Sequence, residues 1–274
     1  MANEPAVSEA TWSHEDLESD LAGALEAGEF FLVYQPTIDL QTNAFAGVEV
    51  LIRWRHPQRG VLSPELFISE LEMSGQIVPV GRWALSTACA QGAIWHDRGY
   101  RFAVSVNIST KQLGSPEFAH DVANALASSR FDPALLVLEF SQESLLGDEA
   151  ATMRRLAELK TLGVRLAVDD FAPGDTPLAD LAKFPIDIVK LDKGFIAGIT
   201  NSPEAAALIH TLVQLAKALG VQIIASGIED AEQRKRLAIE EVSIGQGFHF
   251  SRPHEAQEID RYLEDFAIFS GKPL

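Results

Sequence analysis

The sequence predicts a closed (β/α)8 barrel. Three observations carry this: short runs rich in β-branched and aromatic residues alternate with longer stretches of helical period, eight strand-helix units fit the roughly 250 residues of such a barrel, and no Gly/Ser-rich or Pro-rich linker divides the 274-residue chain. Several of the short runs are apolar on consecutive residues, as strands are when both faces are covered, which favours parallel strands with crossover helices. An open doubly wound sheet competes for the same alternation.

In chain order the strands are expected at "FFLVYQPTI" (30–38), "FAGVEVLIRW" (45–54), "FAVSVNI" (102–108), "LLVLEFS" (135–141), "VRLAVDDF" (164–171), "IDIVKLD" (186–192), "VQIIASGI" (221–228) and "SIGQGFHF" (243–250). Between the sixth and seventh, residues 203–219 read as a helix. Ile209, Leu212, Val213, Ala216 and Leu219 recur at the spacing of one buried face, and Gly220 is placed to end it. "EDAEQRKRL" (229–237) reads as a solvated helical start. Residues 1–19 are expected as a frayed lead-in or linker remnant, with the barrel occupying 20–274.

Composition narrows the function. A net charge of −17 argues against sequence-independent binding to nucleic acid or to an anionic membrane, since both need basic groups to displace counterions. The lone Cys89 cannot pair within the chain and fits a reducing, cytoplasmic setting as a core residue. No apolar run of about 18 residues and no basic, apolar leader is present, so neither a spanning helix nor a signal peptide is expected. Trp12, Trp54, Trp83 and Trp95 read as core or interface anchors.

Barrel chemistry sits where the strands end, so the polar residues late in each strand are the candidates. They are Glu49 and Arg53, Asn107, Glu139, Asp169 with Asp170, Lys190 with Asp192, Ser226 with Glu229, and Gln246. Each has a structural reading when taken singly: a paired acid, a turn former, a helix cap or a snorkelling lysine. Together they are harder to explain that way, because several carboxylates on one rim repel one another unless a cation sits among them. Glu, Asn, Glu and Asp oxygens suit Mg²⁺, Mn²⁺ or Ca²⁺ rather than a thiolate-seeking metal.

These residues lie in segments with a family resemblance. "YQPTIDL", "GVEVLIRWRHPQRGVLSPELFI", "VSVNIS", "LEFSQES", "GVRLAVDDF", "FPIDIVKLD", "ASGIE" and "GQGFHFSRP" resemble, in that order, the signature segments of EAL domains, the (β/α)8 phosphodiesterases and receptors of cyclic di-GMP. The name-giving triplet reads Glu49-Val50-Leu51, an EVL variant that keeps the acid. The resemblance implies Glu49, Asn107, Glu139 and Asp169 as ligands of a first Mg²⁺ or Mn²⁺ and Asp170 as the acid serving a second, with Ca²⁺ inhibitory. It implies Lys190 as the lysine that orients the attacking water. Gln35, Leu51, Arg53, Asp170, Glu229, Gln246 and Pro253 are implied as ligand-binding, with Arg53 at a phosphate and Glu229 at a guanine edge.

Departures from the family pattern gather on catalysis. The "AEGVE" segment reads Ala225-Ser226-Gly227-Ile228-Glu229, so Ser226 stands where relatives carry the general-base acid. A hydroxyl replaces a carboxylate neither as base nor as strong cation ligand. Gln142 aligns with an acid that steadies the site's mobile loop, although a slip of register would bring Glu143 there instead. "DDFGTGYSSL" becomes Asp169-Asp170-Phe171-Ala172-Pro173-Gly174-Asp175-Thr176-Pro177-Leu178, where Pro173 biases Ala172 towards extended backbone. The expected function is a degenerate EAL domain that acts as a cyclic di-GMP receptor with lost or strongly reduced hydrolysis, metal-free operation remaining open. Its expected partners are cyclic di-GMP and a protein, with a homodimer also open, and neither a nucleic acid polymer nor membrane insertion. The alternatives are a metal-dependent phosphodiesterase yielding pGpG, and an interaction barrel that binds no nucleotide.

Overall fold

The computed structural model describes residues 14–145, 148–171, 181 and 183–270, so Trp12 lies outside the described residues. Nine strands form one sheet: β1 (Phe30–Asp39), β2 (Phe45–His56), β3 (Gly60–Leu62), β4 (Ala103–Ile108), β5 (Leu136–Ser141), β6 (Arg165–Phe171), β7 (Ile188–Leu191), β8 (Gln222–Ala225) and β9 (Ile244–Gln246). Their order is β1-β9-β8-β7-β6-β5-β4-β2-β3, and the additional β1–β2 pairing closes eight of them into a barrel. Only β3, a short antiparallel return on β2, lies outside the ring and outside the sequence expectation. The closed barrel therefore stands and the open sheet does not.

One expectation is corrected. Parallel strands were expected throughout, yet β1 runs antiparallel to both β2 and β9, while β2, β4, β5, β6, β7, β8 and β9 are parallel in succession. The cause is local. A parallel crossover needs a dozen or more residues, and only residues 40–44 separate β1 from β2, turning at Asn43 with φ 61°. The eighth expected strand is also shorter than 243–250, because Gly247 (φ 155°) turns the chain after Gln246 and leaves Phe248 exposed.

The helix Pro203–Leu219 forms where its period placed it, with the Ser202 hydroxyl accepting from the Ala205 N–H and Gly220 in the left-handed region at φ 71°. Ala206, Ile209, Leu212, Val213 and Ala216 are buried, but Leu219, the last residue before the Gly220 cap, is 41% exposed. Along Ala231–Ile239 only Gln233 and Leu237 are buried, which agrees with a solvated face. Near the N-terminus, His14–Leu21 is helical, and Leu17 and Leu21 pack in a cluster with Phe30, Trp54 and Phe67. Packed structure thus begins before residue 20, since those two leucines share one helix face. Cys89 and Trp95 are buried in the main core, and the Trp95 indole N–H donates to Asp260 at 2.7 Å. Among the described residues no helix is long and apolar enough to cross a membrane.

Candidate functional site

Period-two alternation builds the site. Inside the barrel Val137, Ala167, Ile188 and Ile224 form an apolar layer packed with Ala103 and Ile244. Two residues further along each strand the side chain again faces inward, one layer nearer the C-terminal rim. Val137 is thus followed by Glu139, Ala167 by Asp169, Ile188 by Lys190, Ile224 by Ser226 and Ile244 by Gln246. Ladder pairing sets Asn107 opposite Glu139, while the stagger of the barrel sets Glu139 opposite Ala167 and Lys190 opposite Ile224 of the apolar layer.

Lys190, 2% exposed, is the centre of this layer. Its Nζ lies 2.9 Å from Glu49 Oε2, 2.5 Å from Glu139 Oε2 and 3.1 Å from Asp169 Oδ1. Glu49 Oε1 accepts from Asn107 Nδ2 at 2.8 Å and Oε2 from Gln246 Nε2 at 2.8 Å. Gln246 Nε2 also donates to Gln35 Oε1 at 3.0 Å, and Gln35 Nε2 in turn to the Ser251 carbonyl at 3.1 Å. Gln35 and Gln246 are therefore drawn into a buried relay beneath the rim, and Gln246 Oε1 is buried with no hydrogen-bond partner among the described residues.

The two glutamates on the same ammonium titrate oppositely. Burial works to raise the Glu49 carboxyl, but Lys190 and the Asn107 and Gln246 amides outweigh it and hold the group below its ordinary value. For Glu139 burial prevails over Lys190, and with the repulsion of Glu49 and Asp169 it pushes the carboxyl up to about 8. Burial works against the Lys190 charge, yet Glu139, Glu49 and Asp169 together raise the ammonium well above its usual value.

Among the described residues Glu49, Glu139 and Asp169 are the acids that offer oxygens within 4.8 Å of one another. Asn107 stands at the exposed rim beside Glu49, with its carbonyl as the atom it can offer a cation. This all-oxygen donor set fits a hard divalent cation. Asp170 is not in that group. A register irregularity between Val168 and Phe171 and a φ of 52° turn it outward, and it is exposed. Burial first, then Asp169, raises its carboxyl.

A cavity of about 450 Å³ opens beside this layer and is lined by Leu51, Pro64, Asn107, Ser141, Asp169 and Asp170, among others. Arg53 follows Leu51 by two residues on β2 and is half-buried. Glu229 is exposed beyond the end of β8, and Pro253 is half-buried next to His254, which bridges to Tyr34 of β1. Those three stand on rim segments outside the group around Lys190. Sequence reasoning missed a hydroxyl chain on the same rim, in which Ser144 Oγ lies 2.8 Å from both Thr110 Oγ1 and Ser141 Oγ; Ser and Thr at a strand end and the following helix were its only signal. Of the three departures, Ser226 has a buried hydroxyl with no partner among the described residues, and Gln142 opens the short helix Gln142–Leu145. The altered segment 172–178 lies outside the described residues.

Comparison with known proteins agrees with this architecture. The chain is 32% identical over 262 residues to the cyclic di-GMP phosphodiesterase PdeR of Escherichia coli, covering 96% of this chain and 40% of that protein. It is 34% identical over 241 residues to the bifunctional diguanylate cyclase/cyclic di-GMP phosphodiesterase MucR of Pseudomonas aeruginosa, covering 88% of this chain and 35% of that one. The chain thus spans less than half the length of these curated relatives. The solved c-di-GMP complex of the PaMucR phosphodiesterase superposes with a TM-score of 0.84 at 33% identity, covering 89% of this chain and 99% of that one. The EAL domain profile matches residues 18–253, and with it the barrel and its acidic rim come together: this chain belongs to the EAL domain family.

Proposed function

We propose that this barrel is a cyclic di-GMP receptor whose hydrolytic activity is lost or strongly reduced. The observation that carries the reading is Ser226, an alcohol at the strand tip beside an otherwise complete acidic layer, its hydroxyl buried with no partner among the described residues. Glu49, Asn107, Glu139 and Asp169 would hold a divalent cation, with Asp170 serving a second. Such an ion supplies charge neutralisation at phosphoryl oxygens and activates water. Turnover further needs a group to take the water's proton, and an alcohol is too weak a base for that at neutral pH.

Recognition asks less. The Arg53 guanidinium matches phosphate geometry, and the Glu229 carboxylate can accept two donors from a guanine edge. Leu51 lines the cavity beside the acidic layer, and Pro253 stands on the rim. Relatives with solved nucleotide complexes support cyclic di-GMP as the ligand. A second reading, a slow metal-dependent phosphodiesterase yielding pGpG, is favoured by the convergence of Glu49, Glu139 and Asp169.

The deciding experiment incubates the protein with cyclic di-GMP and Mn²⁺, following binding by calorimetry and product by chromatography. Binding with negligible pGpG, weakened by Arg53→Ala and by Glu229→Ala, is the expected result. Robust turnover lost in Glu49→Ala overturns the reading in favour of the enzyme, and absence of nucleotide binding overturns it in favour of an interaction barrel.

A further inference from the structure

We propose that Lys190 is a built-in counter-cation that keeps the acidic layer ordered without a divalent ion. An ammonium has three N–H donors, and here its nitrogen stands within 3.1 Å of carboxylates from three different strands, Glu49 of β2, Glu139 of β5 and Asp169 of β6. Those are the same three acids that present oxygens to a cation. A lysine serving only to aim a water keeps its donors directed at the water, whereas this one donates to Glu49 and Glu139 and pairs in charge with Asp169. Its stem is fixed by β7, paired to β6 on one side and β8 on the other, so the charge is held in place by the sheet.

The balance of charge gives the consequence. Glu49 and Asp169 by themselves outnumber the one ammonium, so the layer stays formally negative whichever form Glu139 takes, and the Asn107 and Gln246 amides offset part of this by donating to Glu49. A divalent ion is still attracted. To enter, it draws oxygens away from Lys190, so it adds little to the fold's stability. The inference deepens the receptor reading by removing its metal requirement, and it rests on that reading only where the nucleotide is concerned.

The test compares thermal melts of wild type, Lys190→Met and Lys190→Arg in excess chelator and in Mn²⁺. Wild type should melt within about 2 °C in the two conditions, whereas Lys190→Met should fall in chelator and regain about 5 °C or more with Mn²⁺, since ligand binding to the folded state raises the midpoint. Lys190→Arg, which keeps the charge, should be less dependent on Mn²⁺ than Lys190→Met. A wild type that unfolds in chelator and is restored by Mn²⁺ overturns the proposal, as does a Lys190→Met protein with no larger Mn²⁺ response than wild type. If Lys190→Met does not fold at all, the wild-type comparison decides. In the nucleotide arm, wild-type affinity for cyclic di-GMP should agree within about threefold between chelator and Mn²⁺, and a loss of about tenfold or more in chelator overturns the metal independence. Failure to bind nucleotide under either condition removes the receptor reading and leaves Lys190 to be judged by the melts.

Discussion

Glu139 and Cys89 illustrate how burial decides chemistry at single positions. Glu139 meets Lys190 at 2.5 Å yet is flanked by two further acids, so replacing it with Gln retains an oxygen for the ammonium and removes a carboxyl whose charge burial already opposes. Glu139→Gln should therefore fold as wild type does but bind Mn²⁺ at least about tenfold more weakly by calorimetry, the loss expected when a ligand set is disturbed. Cys89 is fully buried, and burial pushes its thiol up to about 12. A thiolate is the reactive form, so the native protein should resist a thiol reagent at pH 8 and react with it only after denaturation. Gln246→Leu removes the donor to Gln35 Oε1 and one donor to Glu49 Oε2, which keeps Lys190, and leaving the Gln35 acceptor unsatisfied should cost about 1–3 kcal/mol in urea unfolding.

At the scale of elements, the turn after β8 is tightly constrained. Gly227 has φ 78°, and a Cβ there would stand 2.3 Å from the Lys193 Cβ. Gly227→Ala should destabilise by about 2 kcal/mol or more, through left-handed backbone strain joined to a steric clash, as read from the shift of a urea midpoint. This requirement bears on Ser226 directly, since the glycine next to it fixes the direction in which the strand tip leaves the barrel. The cap at Ser202 contributes more modestly: Ser202→Ala loses the bond to the Ala205 N–H and should cost about 1 kcal/mol.

The whole barrel depends on β1, the strand that joins β9 to β2 and closes the ring. A chain beginning at Thr42 lacks it and exposes the edges of β2 and β9, so it should lose the cooperative thermal transition of the full chain. The same strand explains why strand positions were legible and one strand direction was not. Runs of β-branched and aromatic residues mark strands locally, whereas direction depends on what connects them. "LQTNA" (40–44) is a connection too short for a parallel crossover, whereas the eightfold alternation taken alone implies parallel strands throughout.

The sequence by itself determined where eight of the nine strands and the helix of residues 203–219 lie, and that polar side chains stand late in most strands, because alternation and period are local properties of the chain. Its ordered segments also pointed to the EAL family before any coordinates. Only the tertiary structure decided how those tips combine. The three-way contact of Lys190 joins residues 49, 139, 169 and 190, and the relay through Gln35 and Gln246 spans 211 positions; neither is encoded by spacing. Asp169 and Asp170, adjacent in sequence and alike in chemistry, part company because a register irregularity and a left-handed φ of 52° send one carboxylate to the ammonium and the other outward. Such choices are set by non-local strand register and packing, which no local window of the sequence contains.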